Sequence, residues 1–313
     1  MDSRKVAVIG CGFVGSSSAF ALMQAGLFSE IVLVDLDRKR AEGEAMDISH
    51  GSLFSSSVRV YAGDYEDVAD AAVVVVTAGA AQKPGETRLD LVNKNSKIVK
   101  SVVEELNRVD FQGIMLIVSN PVDILTKVAQ EVSNLPANRV LGSGTTLDTA
   151  RLRRKLGEHL SVDSRSVHAF IIGEHGDSEI AAWSSANVSG VPLSTMCEMR
   201  GHFDHNKNTQ TIAEQVKNSA YEIIERKHAT YYGIAMVVKR LCQAIVLDEK
   251  SIFPVSIQMS GEYGLENVVL SMPAIVGENG VECSIPISLD ENEVSKLHES
   301  ADILRKTVES IEF

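Results

Sequence analysis

Val6-Ala7-Val8-Ile9-Gly10-Cys11-Gly12-Phe13-Val14-Gly15 decides how the first half of this chain folds. A short apolar run, Val6–Ile9, meets a cluster of glycines. A stretch of helical length, Val14–Ala25, follows with Ala19, Leu22 and Met23 on one stripe. Such a run reads as a strand buried on both faces. In a strand-turn-helix unit each glycine has its own task. Gly10 permits the tight turn, Gly12 lets backbone approach a pyrophosphate, and Gly15 lets the helix pack close to the sheet. The helix N-terminus offers free N–H groups and a positive dipole end to phosphate.

Asp35 stands 20 residues after Gly15, at the end of a second run, Ile31–Val34. An acidic residue there accepts hydrogen bonds from ribose hydroxyls and repels a 2′-phosphate, so the sequence predicts NAD rather than NADP. Arg38, Lys39 and Arg40 read as a solvated first helical turn. Further runs at Val58–Tyr61, Val73–Thr77, Ile114–Val118 and Val140–Leu141 alternate with helix-like stretches. That alternation predicts an α/β fold, a Rossmann-type doubly wound parallel sheet.

The second half has another rhythm. Val167–Ile172 reads as a strand, Thr211–Lys227 and Tyr232–Ile245 as long helices, and Ser251–Ile287 as an antiparallel sheet. Glu291–Ile311 reads as a last helix, with Val294, Leu297, Ala301, Leu304 and Val308 at helical spacing. A mixed α+β domain for substrate is expected after the sheet. The boundary falls near Leu141–Thr146, which gives domains 1–143 and 144–313.

Of the 313 residues, 30 are Lys or Arg and 42 are Asp or Glu, a formal net charge of −12. An acidic surface repels nucleic acid and anionic lipid, so neither is an expected partner. An anionic ligand needs locally gathered cations. Cys11, Cys197, Cys242 and Cys283 are scattered, without metal-ligand spacing, so neither a disulfide framework nor a metal site is expected, and a reducing cytoplasm fits. The N-terminus lacks the shape of a signal peptide, and the apolar run around Ala71–Ala81 is too short to span a bilayer.

Gly173-Glu174-His175-Gly176-Asp177 follows a buried strand. A histidine is the side chain whose charge changes near neutrality, which suits it to general acid–base work. Asp148-Thr149-Ala150-Arg151 lies near a predicted helix start, with Asp148 and Arg151 at i and i+3 on one face. An aspartate can fix a histidine tautomer and stabilise its charged form. An arginine offers a planar fork to a carboxylate. Gly79-Ala80-Ala81-Gln82-Lys83-Pro84-Gly85-Glu86-Thr87-Arg88 and Ser119-Asn120-Pro121-Val122-Asp123 leave the carboxyl ends of strands, where open α/β sheets place ligands. Each motif alone also reads as an ordinary loop or turn.

Those motifs, with Leu-Asp-Thr-Ala-Arg, Gly-Glu-His-Gly-Asp-Ser-Glu and Ala-Thr-Tyr-Tyr-Gly in order along the chain, resemble the L-lactate and malate dehydrogenase family. The likeness spans nearly the whole chain and looks closest to the bacterial lactate branch. It implies that His175 is the proton donor and acceptor, Asp148 its orienting partner, Arg151 the clamp for a substrate carboxylate, and Arg88 the group that polarises the C2 carbonyl. Gln82, Asn120 and Thr230 would line the substrate pocket. NAD would meet Gly10, Gly12, Val14, Gly15, Asp35, Arg40 and Tyr65 on one side. On the other it would meet Gly79, Ala80, Ser119, Asn120, Ser143 and Ile234. The resemblance also implies a cytoplasmic homotetramer working in glycolysis and fermentation.

Gln82 discriminates within the family. The malate branch carries arginine there to pair a second carboxylate. A glutamine offers no charge, and a buried carboxylate without a partner is strongly disfavoured. Pyruvate and L-lactate are therefore the expected substrates, although Lys83 is a nearby cation. Arg153 and His168 match positions that hold fructose 1,6-bisphosphate in bacterial relatives, so activation by that sugar is expected too. Three alternatives stay open: a malate dehydrogenase, an NAD-dependent glycosidase, and a non-catalytic NAD(H) sensor.

Overall fold

Consecutive residues of β1 (Asp2–Ile9) pack against opposite layers of helices. Val6 and Val8 face one apolar cluster, with Leu22 and Met23 of α1 (Phe13–Ala25). Ala7 and Ile9 face the other. The runs look continuous in the sequence because both faces are buried. The computed structural model describes residues 2–80 and 88–311. The first half continues with β2 (Glu30–Val34), α2 (Arg38–Ser52), β3 (Arg59–Ala62), β4 (Ala71–Val76), α3 (Arg88–Arg108), β5 (Ile114–Ile117), α4 (Val122–Val132), β6 (Val140–Gly142) and α5 (Thr146–Leu160). The strands pair in parallel in the order β3-β2-β1-β4-β5-β6, the doubly wound order of two mononucleotide-binding halves.

The second half begins with short strands, β7 (Val167–His168), β8 (Ile171–Ile172), β9 (Ile180–Ala181), β10 (Asn187–Val188) and β11 (Val191–Pro192). Helices α6 (Leu193–Met199), α7 (His205–Lys227) and α8 (Tyr232–Val246) come next. The chain ends with β12 (Ser251–Ser260), β13 (Glu266–Gly277), β14 (Gly280–Ser284) and α9 (Glu291–Glu309). The meander β12-β13-β14 is antiparallel, and Ser256 of β12 pairs with Gly142 of β6. The large sheet therefore runs on to nine strands. No helix among the described residues is long and apolar enough to cross a membrane.

Two expectations need correction. Val167–Ile172 is not one strand, because β7 pairs with β10 while β8 pairs with β9 in a different sheet. The Oγ1 groups of two threonines at the start of α5 serve Ile171 instead. Ile171 N–H donates to Thr149 Oγ1 at 2.8 Å, and Thr145 Oγ1 donates to Ile171 O at 2.5 Å. Helix α7 starts at His205, six residues before Thr211. Asp204 caps it by accepting from Lys207 N–H, and the added turn is wholly polar, with only Thr209 buried.

Candidate active site

The threonine bonds to Ile171 hold α5 against the strand that leads to His175. Gly173 forms a two-way backbone bridge to Ser271 of β13, both bonds 2.9 Å. Its φ is +85°, and a Cβ there would meet Ile180 Cδ1 at 2.7 Å, so a larger residue would unseat the turn. Glu174 is buried. Its N–H donates to Ser300 Oγ at 2.9 Å, and its carboxylate accepts from Ser178 Oγ at 2.6 Å. The His175 N–H donates to Asp123 Oδ2 at 2.7 Å.

Asp123 is a supporting residue that the motif reading left without a role. It sits in the first turn of α4, 2% exposed. Its Oδ1 accepts from Ser256 Oγ of β12 at 2.7 Å and Ser271 Oγ of β13 at 3.1 Å. Burial pushes its carboxyl up against the pull of Ser256 and His175. One carboxylate thus ties a helix, two strands and the histidine loop. Nothing local in the sequence pairs residues so far apart.

The loop delivers the imidazole to α5. His175 Nδ1 lies 2.6 Å from Asp148 Oδ2, and Arg151 donates to Asp148 Oδ1 at 2.7 Å. The side chain of Asp148 is 4% exposed, Arg151 14% and His175 26%, so the acid is sealed while the imidazole stays within reach of a ligand. Burial alone would hold Asp148 up, but the charges of His175 and Arg151 overcome it and its carboxyl falls below the usual range. Burial likewise opposes the charged form of His175. The charge and hydrogen bond of Asp148 outweigh it, with Asp123 and Glu179 adding, and the imidazole rises to about 9. The arrangement is a histidine that is charged at neutral pH, with an arginine beside it.

A nucleotide edge lies next to this dyad. Gly10 has φ +97°, and a Cβ there would meet Ala78 N at 2.6 Å. A Cβ on Gly15 would come within 1.9 Å of Gly10 O, whereas nothing lies within 4 Å of one on Gly12. Two glycines are needed for packing, and the third leaves backbone open to a ligand. The first turn of α1 has no side-chain cap and no acidic residue, which suits it to a pyrophosphate. Asp35 follows β2 and accepts from Cys11 N–H at 2.6 Å and Asp37 N–H at 2.9 Å. Arg38 is engaged by Glu42 at 3.1 Å and Asp64 at 2.8 Å rather than offered to a 2′-phosphate. These residues fit NAD.

The other sequence-predicted residues fall into place unevenly. Gly79, Ala80, Ser119, Asn120 and Ser143 leave the carboxyl ends of β4, β5 and β6. Ser119 Oγ donates to Ala78 O at 2.6 Å. Buried Asn95 of α3, which the sequence reading missed, joins two of these loops. Its Oδ1 accepts from Ala80 N–H at 2.8 Å, and its Nδ2 donates to Asn120 O at 2.9 Å. Val14 and Ile234 are partly buried against the core. Tyr231 stacks on Phe13 with centroids 5.3 Å apart, which brings the half-buried Thr230 toward the nucleotide turn. Gly233 abuts Leu147, the neighbour of Asp148. Arg40 is exposed and Tyr65 packs on the core. Arg88 opens α3, but its side chain is not among those described. Gln82 and Lys83 lie outside the described residues.

Comparison with known proteins agrees with this geometry. The family model described as lactate/malate dehydrogenase, NAD binding domain, matches residues 4–142, and the one for the alpha/beta C-terminal domain of the same family matches residues 145–312. The chain is 48% identical to an L-lactate dehydrogenase of Acetivibrio thermocellus over 309 residues, covering 99% of this chain and 98% of that one. It is 50% identical to L-lactate dehydrogenase 1 of Clostridium acetobutylicum, covering 99% of each. A crystal structure of the minor L-lactate dehydrogenase from Enterococcus mundtii in its ligands-bound form superposes with a TM-score of 0.96 at 45% identity, covering 99% of both chains.

Proposed function

The chain belongs to the lactate/malate dehydrogenase family and is an NAD-dependent oxidoreductase, and on that premise we propose that it interconverts pyruvate and L-lactate. The observation that carries the reading is the convergence of His175 and Arg151 on the single carboxylate of Asp148. An imidazole and a guanidinium so held can meet one small 2-oxo acid. Arg151 takes its carboxylate. Nδ1 of His175 is committed to Asp148, which leaves Nε2 to face the C2 oxygen. NADH, when bound, supplies the hydride to C2. The Nε2 proton passes to the oxygen as the alcohol forms, and the neutral imidazole regains a proton from water. In the direction of lactate oxidation a neutral His175 takes the hydroxyl proton. Because the charged form persists up to about 9, reduction runs at neutral pH and declines above that value, while oxidation rises toward it.

NADH oxidation measured with pyruvate and with oxaloacetate tests the reading, and a preference for oxaloacetate would reverse the choice of substrate. Gln82 is assigned to the discrimination by residue type alone. Gln82→Arg is expected to raise kcat/KM for oxaloacetate and lower it for pyruvate. The combined change in their ratio should be at least about 100-fold, the effect of giving or denying a carboxylate its partner. An unchanged ratio would point to another residue. The division into residues 1–143 and 144–313 is kept as part of this reading, with β6 ending the nucleotide half.

Activation by fructose 1,6-bisphosphate is the second part of the proposal. Arg153 is half-buried on α5 and reaches the O of Arg165, in the turn that leads into β7 and the exposed His168. Among the described residues its Nε is buried without a partner. An orphaned guanidinium N–H favours an anionic acceptor such as a phosphate oxygen. We expect the sugar bisphosphate to lower the KM for pyruvate at pH 6 to 7, and Arg153→Gln to abolish the response. A flat titration of the unaltered enzyme would remove the site. Phe20 on α1, Met46 on α2 and Met236 on α8 are exposed, and α1 touches both other helices; large apolar groups left at the surface favour an interface between subunits, as the homotetramer of this reading requires. A cytoplasmic role in glycolysis and fermentation completes the reading.

A further inference from the structure

Glu179 lies four residues beyond His175, and the proposed mechanism gives it nothing to do. One carboxylate oxygen of Glu179, one of Asp148 and a ring nitrogen of His175 all lie within 4.8 Å of one another. Glu179 and Asp148 therefore face the imidazole, while Asp123 of α4 holds the backbone N–H of the same residue and adds its charge from that side. The nearby cations have other partners. Arg151 of α5 is held by Asp148, and Lys217 of α7 donates to Asp177 O at 2.7 Å. Among the described residues, no hydrogen bond or ion pair engages the Glu179 carboxylate.

On its other side Glu179 lines a cavity of about 620 Å³ between α7 and α9. Lys296 and Glu293 reach that cavity from α9, Asp290 from the residue that caps it, and His205 from α7. Glu293 is committed to the Asp290 and Ser184 N–H groups. Glu179 is thus half-buried between the dyad and an open space, where it can exchange protons with solvent.

We propose that Glu179 is a positioning residue for the reaction: a further acid that acts through His175 and, beside Asp148 and Asp123, raises the pH at which the imidazolium is lost. The inference rests on the reading of His175 as the proton donor. Burial and the Asp148 charge push Glu179 up to about 8, with His175, Arg151 and Lys217 pulling the other way. His175 itself stands at about 9. The two groups titrate in the same range, and an ionised Glu179 stabilises the charged imidazole beside it. Asp148 fixes the ring, while Glu179 extends the useful pH range upward. Even with water-like screening, unit charges about 5 Å apart interact enough to move a titration by about half a unit, and partial burial raises that toward one unit.

The test compares wild type with Glu179→Gln and Glu179→Asp. The first reading is the pH profile of kcat/KM for pyruvate at saturating NADH. Glu179→Gln should bring its alkaline limb down by about half a unit to one unit, so that the ratio of activity at pH 9 to that at pH 6 falls about twofold to fivefold. Glu179→Asp, which keeps the charge, should restore most of the range. A merely structural residue would lower the whole profile without moving its limb. The second reading needs no turnover: the proton NMR titration of the His175 ring, assigned by loss of its signal in His175→Gln. It should show the same downward shift. A His175 titration that moves by less than about 0.2 unit in Glu179→Gln overturns the inference. A wild type that does not reduce pyruvate would fail the parent reading alone.

Discussion

His175→Gln is expected to lower kcat for pyruvate reduction about 1,000-fold, within the range that loss of a placed acid–base group produces. Glutamine is the informative replacement. Its amide can still donate to Asp148, so the buried carboxylate is not left without a partner, and the loss reads out proton transfer rather than a collapsed site. The amide has no proton to give near neutral pH. NADH affinity should change by less than about twofold, because the nucleotide edge is built on the turns after β1, β2, β4, β5 and β6. Fluorescence titration of NADH and single-turnover hydride transfer separate the two. A fall in kcat of less than about tenfold would mean that water supplies the proton and that His175 has another task.

Much of this site could be read before the structure, for identifiable reasons. Strands buried on both faces leave unbroken apolar runs, so β1, β2, β4 and β5 stood out. The glycine turn carries its packing demands in its own residues. Gly15 is legible because its neighbour across the turn, Gly10, is close in sequence as well as in space. The catalytic motifs were legible one by one, while their convergence rests on partners far apart in the chain. Asp123 reaches Ser256 and Ser271 across 133 and 148 residues, and Asn95 joins loops 15 and 25 residues away. No local period marks such residues. The strands β7 to β11 are two residues each, too short for alternation to show. The polar start of α7 hid because only Thr209 in that turn is buried.

Arg151→Gln is expected to lower kcat/KM for pyruvate about 1,000-fold, mostly through KM. Removing one partner of a buried, hydrogen-bonded charge pair costs about 2–5 kcal/mol, and each 1.4 kcal/mol is about a factor of ten. Two losses combine. The substrate carboxylate loses its planar two-pronged donor, and Asp148 loses the cation that helps to keep it ionised. The losses are separable. Arg151→Lys returns a positive charge beside Asp148 but cannot offer the fork. It should keep the alkaline limb of the pH profile near its wild-type position while leaving pyruvate binding weak. Binding of oxamate, which carries the same carboxylate and undergoes no hydride transfer, measures the first loss alone and should weaken in both variants. If oxamate binds Arg151→Gln within about fivefold of wild type, the guanidinium serves Asp148 only. The substrate carboxylate must then be held elsewhere, and the site built around α5 would lose its reason to accept a 2-oxo acid.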